Sequence, residues 1–127
     1  FKGGYMLNDT GQRSNYETGA VRENVGGKGR FDLIPFQALM RLAQHYENGR
    51  DKYSERNWEK GMPISRYYDA AMRHLIKYGD GWNDEDHLAA VLWNVAAIMH
   101  HEAELPKMQS LPKRKNLENK FVVKRTD

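Results

Sequence analysis

The chain has 127 residues, a formal net charge of +3 at pH 7, five histidines and no cysteine. This length fits one small domain. The absence of cysteine removes disulfides and thiolate metal sites, and it suits a cytoplasmic, reducing compartment. No run approaches the ~18 apolar residues of a membrane-spanning helix, so no membrane partner is expected. The charge is unevenly divided: residues 32–106 hold eight Lys and Arg against twelve Asp and Glu, whereas 107–127 hold seven against two. The basic balance therefore belongs largely to the tail, which reads as a solvated extension. With only Phe121 there to stack on a base, nucleic-acid contact through the tail is the weaker reading.

Residues 1–31 are rich in Gly, Asn, Ser and Thr and end in Gly26-Gly27-Lys28-Gly29-Arg30, which predicts an irregular N-terminal arm. The run is no P-loop, since no strand precedes it and no Gly-Lys-Ser/Thr follows. It is either a linker or a backbone that wraps over phosphates, with Lys28 or Arg30 supplying charge. A first helix is predicted over 32–48, with Asp32 as cap, Pro35 in the first turn and Gly49 as a left-handed stop. Phe36, Leu39, Leu42, Ala43 and Tyr46 would form its apolar face. Residues 49–64 read as a polar connection with a helical turn over 51–59, along which Asp51, Glu55 and Glu59 would line one side.

The second helix is predicted over 65–78, capped by Ser65 and stopped at Gly79. Tyr68, Ala71, Met72, Leu75 and Ile76 mark its expected buried stripe. The third is predicted over 84–104, capped by Asp84 and ended before Pro106. Leu88, Val91, Leu92, Val95, Ala96, Ile98 and Met99 make it apolar around much of its circumference, as a central helix would be. The expected fold is all-α, a small bundle of three main helices over 32–106, with a basic tail over 107–127. Three helices of this length bury little surface, so a homodimer or higher oligomer is expected to complete the bundle.

Three polar clusters carry the chemistry. Asp84-Glu85-Asp86-His87 offers oxygen and nitrogen ligands for Mg²⁺ or Mn²⁺, although acids are favoured at a helix N-terminus by capping alone. His87, Asn94 and His101 lie seven apart on one stripe, and buried polar groups there need partners, whether another helix, a base or a metal. Arg73 and His74 sit on the second helix. Asp69 is placed four residues away to pair with Arg73, and the inward His74 suits a phosphate, a metal-bound water or a satisfied core. Lys52, Arg56, Asn57 and Trp58 follow the first helix. The cations suit phosphates, Asn57 can read a base edge, and Trp58 offers a face to a purine or a cover for the core.

These clusters belong to longer motifs: Gly19-Ala20-Val21-Arg22, Gly27-Lys28-Gly29-Arg30-Phe31-Asp32-Leu33-Ile34-Pro35, Gly49-x-x-Lys52-Tyr53-x-x-x-Asn57-Trp58-x-x-Gly61, Tyr68-x-x-Ala71-x-Arg73-His74, Gly81-x-x-Asp84-Glu85-Asp86-His87-Leu88 and Leu92-Trp93-Asn94. In this order they resemble the dATP/dGTP diphosphohydrolase N-terminal-domain family of phages and bacteria, itself similar in outline to the MazG-like all-α nucleoside triphosphate pyrophosphatases. The resemblance does not cover the tail after Glu104. It implies a helical, oligomeric, Mg²⁺- or Mn²⁺-dependent protein that converts purine (deoxy)nucleoside triphosphates to monophosphate and pyrophosphate. Carried onto this chain, Asp84, Glu85, Asp86 and His87 would hold metal, and Glu85, Asp86 and His74 would be catalytic. Lys28, Arg30, Lys52, Asn57, Trp58, Arg73 and Asn94 would bind substrate. The MazG-like pattern pairs Glu-x-x-Glu with Glu-x-x-Asp, but this chain has no Glu-x-x-Glu, and His87 and Ala90 stand at the second pair. That departure favours the alternative function, a protein that binds or sequesters a nucleotide or cyclic nucleotide without hydrolysing it.

Overall fold

The chain forms β1 (Arg13–Asn15), β2 (Val21–Glu23), α1 (Phe36–Lys52), α2 (Ile64–Gly79) and α3 (His87–Glu104), with short 3-10 turns at Phe31–Leu33, Asn57–Lys60 and Pro106–Met108. The computed structural model describes residues 13–23, 26–54 and 56–124. Glu55 and the side chain of Asp51, expected to line a helical turn, lie outside that description. The three helices belong to one unit, Ile34–Glu118, and the hairpin to a second, drawn from Phe1–Leu33 and Asn119–Asp127. In the second unit β1 and β2 pair antiparallel, Ser14 opposite Arg22, so the arm is not wholly irregular. Arg30 makes a bidentate pair there with Asp32 at 2.9 Å.

The mostly helical bundle is the one the sequence predicts, with α3 packed against both α1 and α2. Its boundaries differ in instructive ways. Asp32 does not cap α1; Pro35 stands at that position, while Asp32 holds Arg30. The helix also runs through Gly49 to Lys52, because Gly49 keeps right-handed geometry and its carbonyl accepts the Tyr53 N–H at 2.8 Å. At α2 the left-handed stop is Gly81 rather than Gly79. Gly81 has φ +84°, its N–H donates to the Tyr78 carbonyl, and the Trp82 N–H donates to that of Lys77, both at 3.1 Å. Those two bonds are the Schellman pattern, which needs a residue free to adopt positive φ.

The largest correction concerns which faces are inside. On α3 the buried residues are His87, Ala89, Ala90, Asn94, Ala97 and His101. On α2 they are Ile64, Tyr67 and Ala71. Of the expected α2 stripe only Ala71 is buried; Tyr68, Met72, Leu75 and Ile76 are exposed, Ile76 by 66%. Tyr67 turns toward α3, its ring 4.9 Å from that of His101 and 5.9 Å from that of Trp93, and the bulkier stripe of α2 is left uncovered in the single chain. No helix among the described residues is long and apolar enough to cross a membrane.

The start of α2 is tied down by tertiary partners instead of a local cap. Ser65 donates its N–H to Ser110 Oγ at 2.9 Å, and Ser110 Oγ donates to Ser65 Oγ at 2.7 Å. The Met62 N–H donates to His101 Nε2 at 3.2 Å, while His101 Nδ1 donates to the Ala97 carbonyl at 2.7 Å. His101 is fully buried and is thereby fixed as a neutral structural link between α3 and the chain entering α2. His101→Ala opens a cavity and leaves a part-buried N–H without its acceptor. The expected loss is about 2–4 kcal/mol, read as a lower midpoint in thermal or urea unfolding.

Candidate functional site

The loop between α2 and α3 positions the site, and the Gly81 turn starts it. Of the acids at 84–86, Asp86 and not Asp84 caps α3: its Oδ1 accepts the Ala89 N–H at 3.0 Å. Asp86 immediately precedes the first helical residue, which is where a side chain reaches the third N–H. Its two oxygens also accept a bidentate pair from Arg41 of α1, both bonds 2.7 Å. That guanidinium holds the Asp86 carboxyl down to about 2. Asp86 is thus engaged on all sides by the helix and by α1.

Asp84 has a different task. Its Oδ1 lies 2.7 Å from His87 Nε2, and this hydrogen bond holds its carboxyl below the ordinary range. Asp84 is therefore ionised and accepts, so His87 Nε2 carries the proton. His87 Nδ1 lies 2.9 Å from His74 Nδ1 on α2, and one hydrogen bond joins the two rings there. Burial holds His74 below the ordinary histidine value, helped by the positive charge of Arg73 and Lys77 and opposed by Glu85. Glu85 itself is exposed, and one ligand atom each from His74, Glu85 and His87 lie within 4.8 Å of one another.

An open cleft of about 820 Å³ borders this group, walled by Arg41, Tyr78, Trp82, Asp84, Glu85 and His87 among others. Trp82 is half exposed. Its Nε1 donates to Asp80 at 3.0 Å, and Lys77 Nζ lies 4.8 Å from the ring centre. A family model described as dATP/dGTP diphosphohydrolase, N-terminal, matches residues 18–111. The chain belongs to that family. No curated protein and no solved structure matches it. The family match runs past Glu104 to include Ser110, whose hydroxyl completes the start of α2.

The residues carried over from the diphosphohydrolase family are not all gathered at the cleft. Asp84, Glu85 and His87 line it, and His74 meets His87. Arg73 reaches Asp69 at 2.5 Å on the outside of α2. Lys52 lies over the Tyr53 ring at 5.6 Å, and Asn57 opens an exposed 3-10 turn. Trp58 packs edge-on against His100 at 4.9 Å and Tyr46 at 5.8 Å. Asn94 is buried, its amide donating to the Ala90 carbonyl at 2.8 Å. Lys28 and Arg30 belong to the other unit. The cleft also contains Arg41 and Trp82, which the sequence reading passed over. Arg41 lay on the polar side of α1 and Trp82 in a turn, and only their proximity to the acids distinguishes them.

The Asp86 carboxylate makes its contribution testable by pH. Its folded-state value lies below the ordinary 3.8, so the ionised form stabilises the fold above that pH, and the contribution is lost as the pH falls toward about 2. Asp86→Asn, which still caps, is expected to flatten acid unfolding in that window. Asp86→Ala also removes the cap and costs about 1 kcal/mol at neutral pH, a difference that chemical unfolding of the two variants resolves.

Proposed function

We propose that this chain hydrolyses purine (deoxy)nucleoside triphosphates, dATP and dGTP foremost, to the monophosphate and pyrophosphate with the help of a divalent cation, Mn²⁺ in preference to Mg²⁺. The observation that supports the reading is the joining of Asp84, Glu85, His87 and His74 beside a cleft, in a chain of a diphosphohydrolase family. The donor set fits a divalent cation: two imidazoles and a carboxylate present their ligand atoms within 4.8 Å. When bound, such a cation offsets phosphate charge and lowers the pKa of water.

The chain's own residues supply the rest. His74, Glu85 and His87 would hold the ion, and Asp84, ionised at the cleft wall, takes the proton from the attacking water. The water oxygen bonds to the α-phosphorus as the bond to the bridging oxygen breaks, and pyrophosphate leaves. Among the described residues, the cleft carries Asp84, Glu85 and Asp86 against the one cation Arg41, which Asp86 already holds, so a polyphosphate would enter with its charge offset by the bound ion. The exposed face of Trp82 suits the flat surface of a purine.

Incubation with dATP and dGTP, with Mg²⁺ or Mn²⁺ and then with chelator, tests this by chromatography of the products. Metal-dependent monophosphate plus pyrophosphate is expected, with Glu85→Gln and His74→Ala slower by about 100-fold or more, the size associated with losing a group at the reacting centre. Nucleotide that stays intact and stays bound in chelator would overturn hydrolysis and leave sequestration.

The exposed stripe of Tyr68, Met72, Leu75 and Ile76 on α2 supports working as a homo-oligomer. Covering a large aliphatic side chain contributes about 1.5–3 kcal/mol, and such contiguous apolar surface is uncommon on a monomer. Ile76→Lys is expected to lower the mass seen by light scattering toward that of one chain. An unchanged mass would place the contact elsewhere.

A further inference from the structure

We propose that His74 Nδ1, His87 Nδ1 and the Glu85 carboxylate form a site for a divalent transition metal, selective against Mg²⁺, with Asp84 as the outer carboxylate that orients His87. This deepens the metal side of the proposed function but rests on the group's own geometry. The two Nδ1 atoms stand 2.9 Å apart. Two nitrogens each about 2.1 Å from one ion are roughly 3.0 Å apart at a right angle and about 3.4 Å at the tetrahedral angle. The rings are thus already spaced for adjacent positions on one octahedral cation.

The surroundings agree. His87 is 2% exposed, so its ring is held by packing, and its Nε2 proton is committed to Asp84 at 2.7 Å. That leaves the Nδ1 lone pair pointing at His74. A carboxylate on the far nitrogen of a metal-binding histidine fixes the tautomer and raises ligand basicity. Without a cation, one proton lies between the facing nitrogens. With a cation, that proton is released to solvent and both nitrogens face the ion, so no further reactant is needed. Glu85 is exposed and within reach, whereas both oxygens of Asp86 are taken by Arg41.

The donor types set the selectivity. Mg²⁺ demands oxygen ligands and gives up water reluctantly, whereas imidazole suits the later first-row divalent ions. Two histidines and one carboxylate also leave positions open for water or phosphate oxygens.

The full chain, stripped with chelator, is titrated with Co²⁺ followed by visible absorption and with Mn²⁺ followed by loss of the free-ion resonance signal. One ion per chain is expected, retained in a hundredfold excess of Mg²⁺. His74→Ala should weaken binding at least tenfold, and Asp84→Asn about 10–100-fold. Circular dichroism checks the folding of both, and Glu85→Gln, altered only at an exposed side chain, is expected to weaken binding as well. Displacement by Mg²⁺ at equal concentration, or unchanged affinity in His74→Ala, overturns the site. Binding without hydrolysis would sink the catalytic reading and keep this one. Mg²⁺-driven hydrolysis that survives His74→Ala would do the reverse.

Discussion

The inward face of α3 is small and polar, and the rest of the helical unit follows from it. Ala89, Ala90 and Ala97 provide little bulk, and Tyr67 of α2 turns toward the helix, its ring 4.9 Å from that of His101. Between and beyond those alanines stand His87, Asn94 and His101, each buried and each given a partner: Asp84 and His74, the Ala90 carbonyl, and the Met62 N–H with the Ala97 carbonyl. A buried polar group left unpaired is costly, and among the described residues no buried side-chain nitrogen or oxygen lacks a partner. Two of these links reach outside α3 to join it to α2 and to the segment entering α2. The helix contact is therefore specified by hydrogen bonds as much as by apolar area.

The same constraint builds the candidate site. His87 is at once the first residue of α3 and part of its buried face, so its ring is oriented by packing. Gly81 reverses the chain after α2 and delivers Asp84 to one nitrogen of that ring, while His74, one turn before the end of α2, meets the other. Asp86 joins the arrangement to α1 through Arg41. Three helices thus converge on the four consecutive residues Asp84–His87, which explains how so short a helical unit presents an ordered polar cluster.

Much of this was legible in the sequence. Helical periodicity located three helices and the central position of α3, and the density of acids and histidine at 84–87 together with His74 marked residues that the fold brings together beside one cleft. The division of labour among the acids was not legible. Asp84, Glu85 and Asp86 all suit a helix N-terminus, and which one caps depends on a one- or two-residue shift in where the helix begins. Trp58, Asn94 and Arg73 show the same limit. Their side chains fit a nucleotide on paper, but whether each meets a ligand, a core or a neighbour depends on the other elements, and in the fold they meet His100, Ala90 and Asp69.

The α2 stripe marks the boundary between the two kinds of information. Local sequence by itself determined that α2 and α3 are amphipathic or apolar helices and that the second ends in the glycine-rich stretch 79–81, because propensity and period act within a few residues. It could not determine which of two apolar faces turns inward. That choice was made by tertiary packing: Tyr67 turns its ring to His101 of α3, the histidines at the ends of that helix demand hydrogen-bond partners across the interface, and Met72, Leu75 and Ile76 are left to the outer surface. The approach of His74 to His87 is decided there too, since they are thirteen residues apart and only the packing of α2 on α3 brings their rings together.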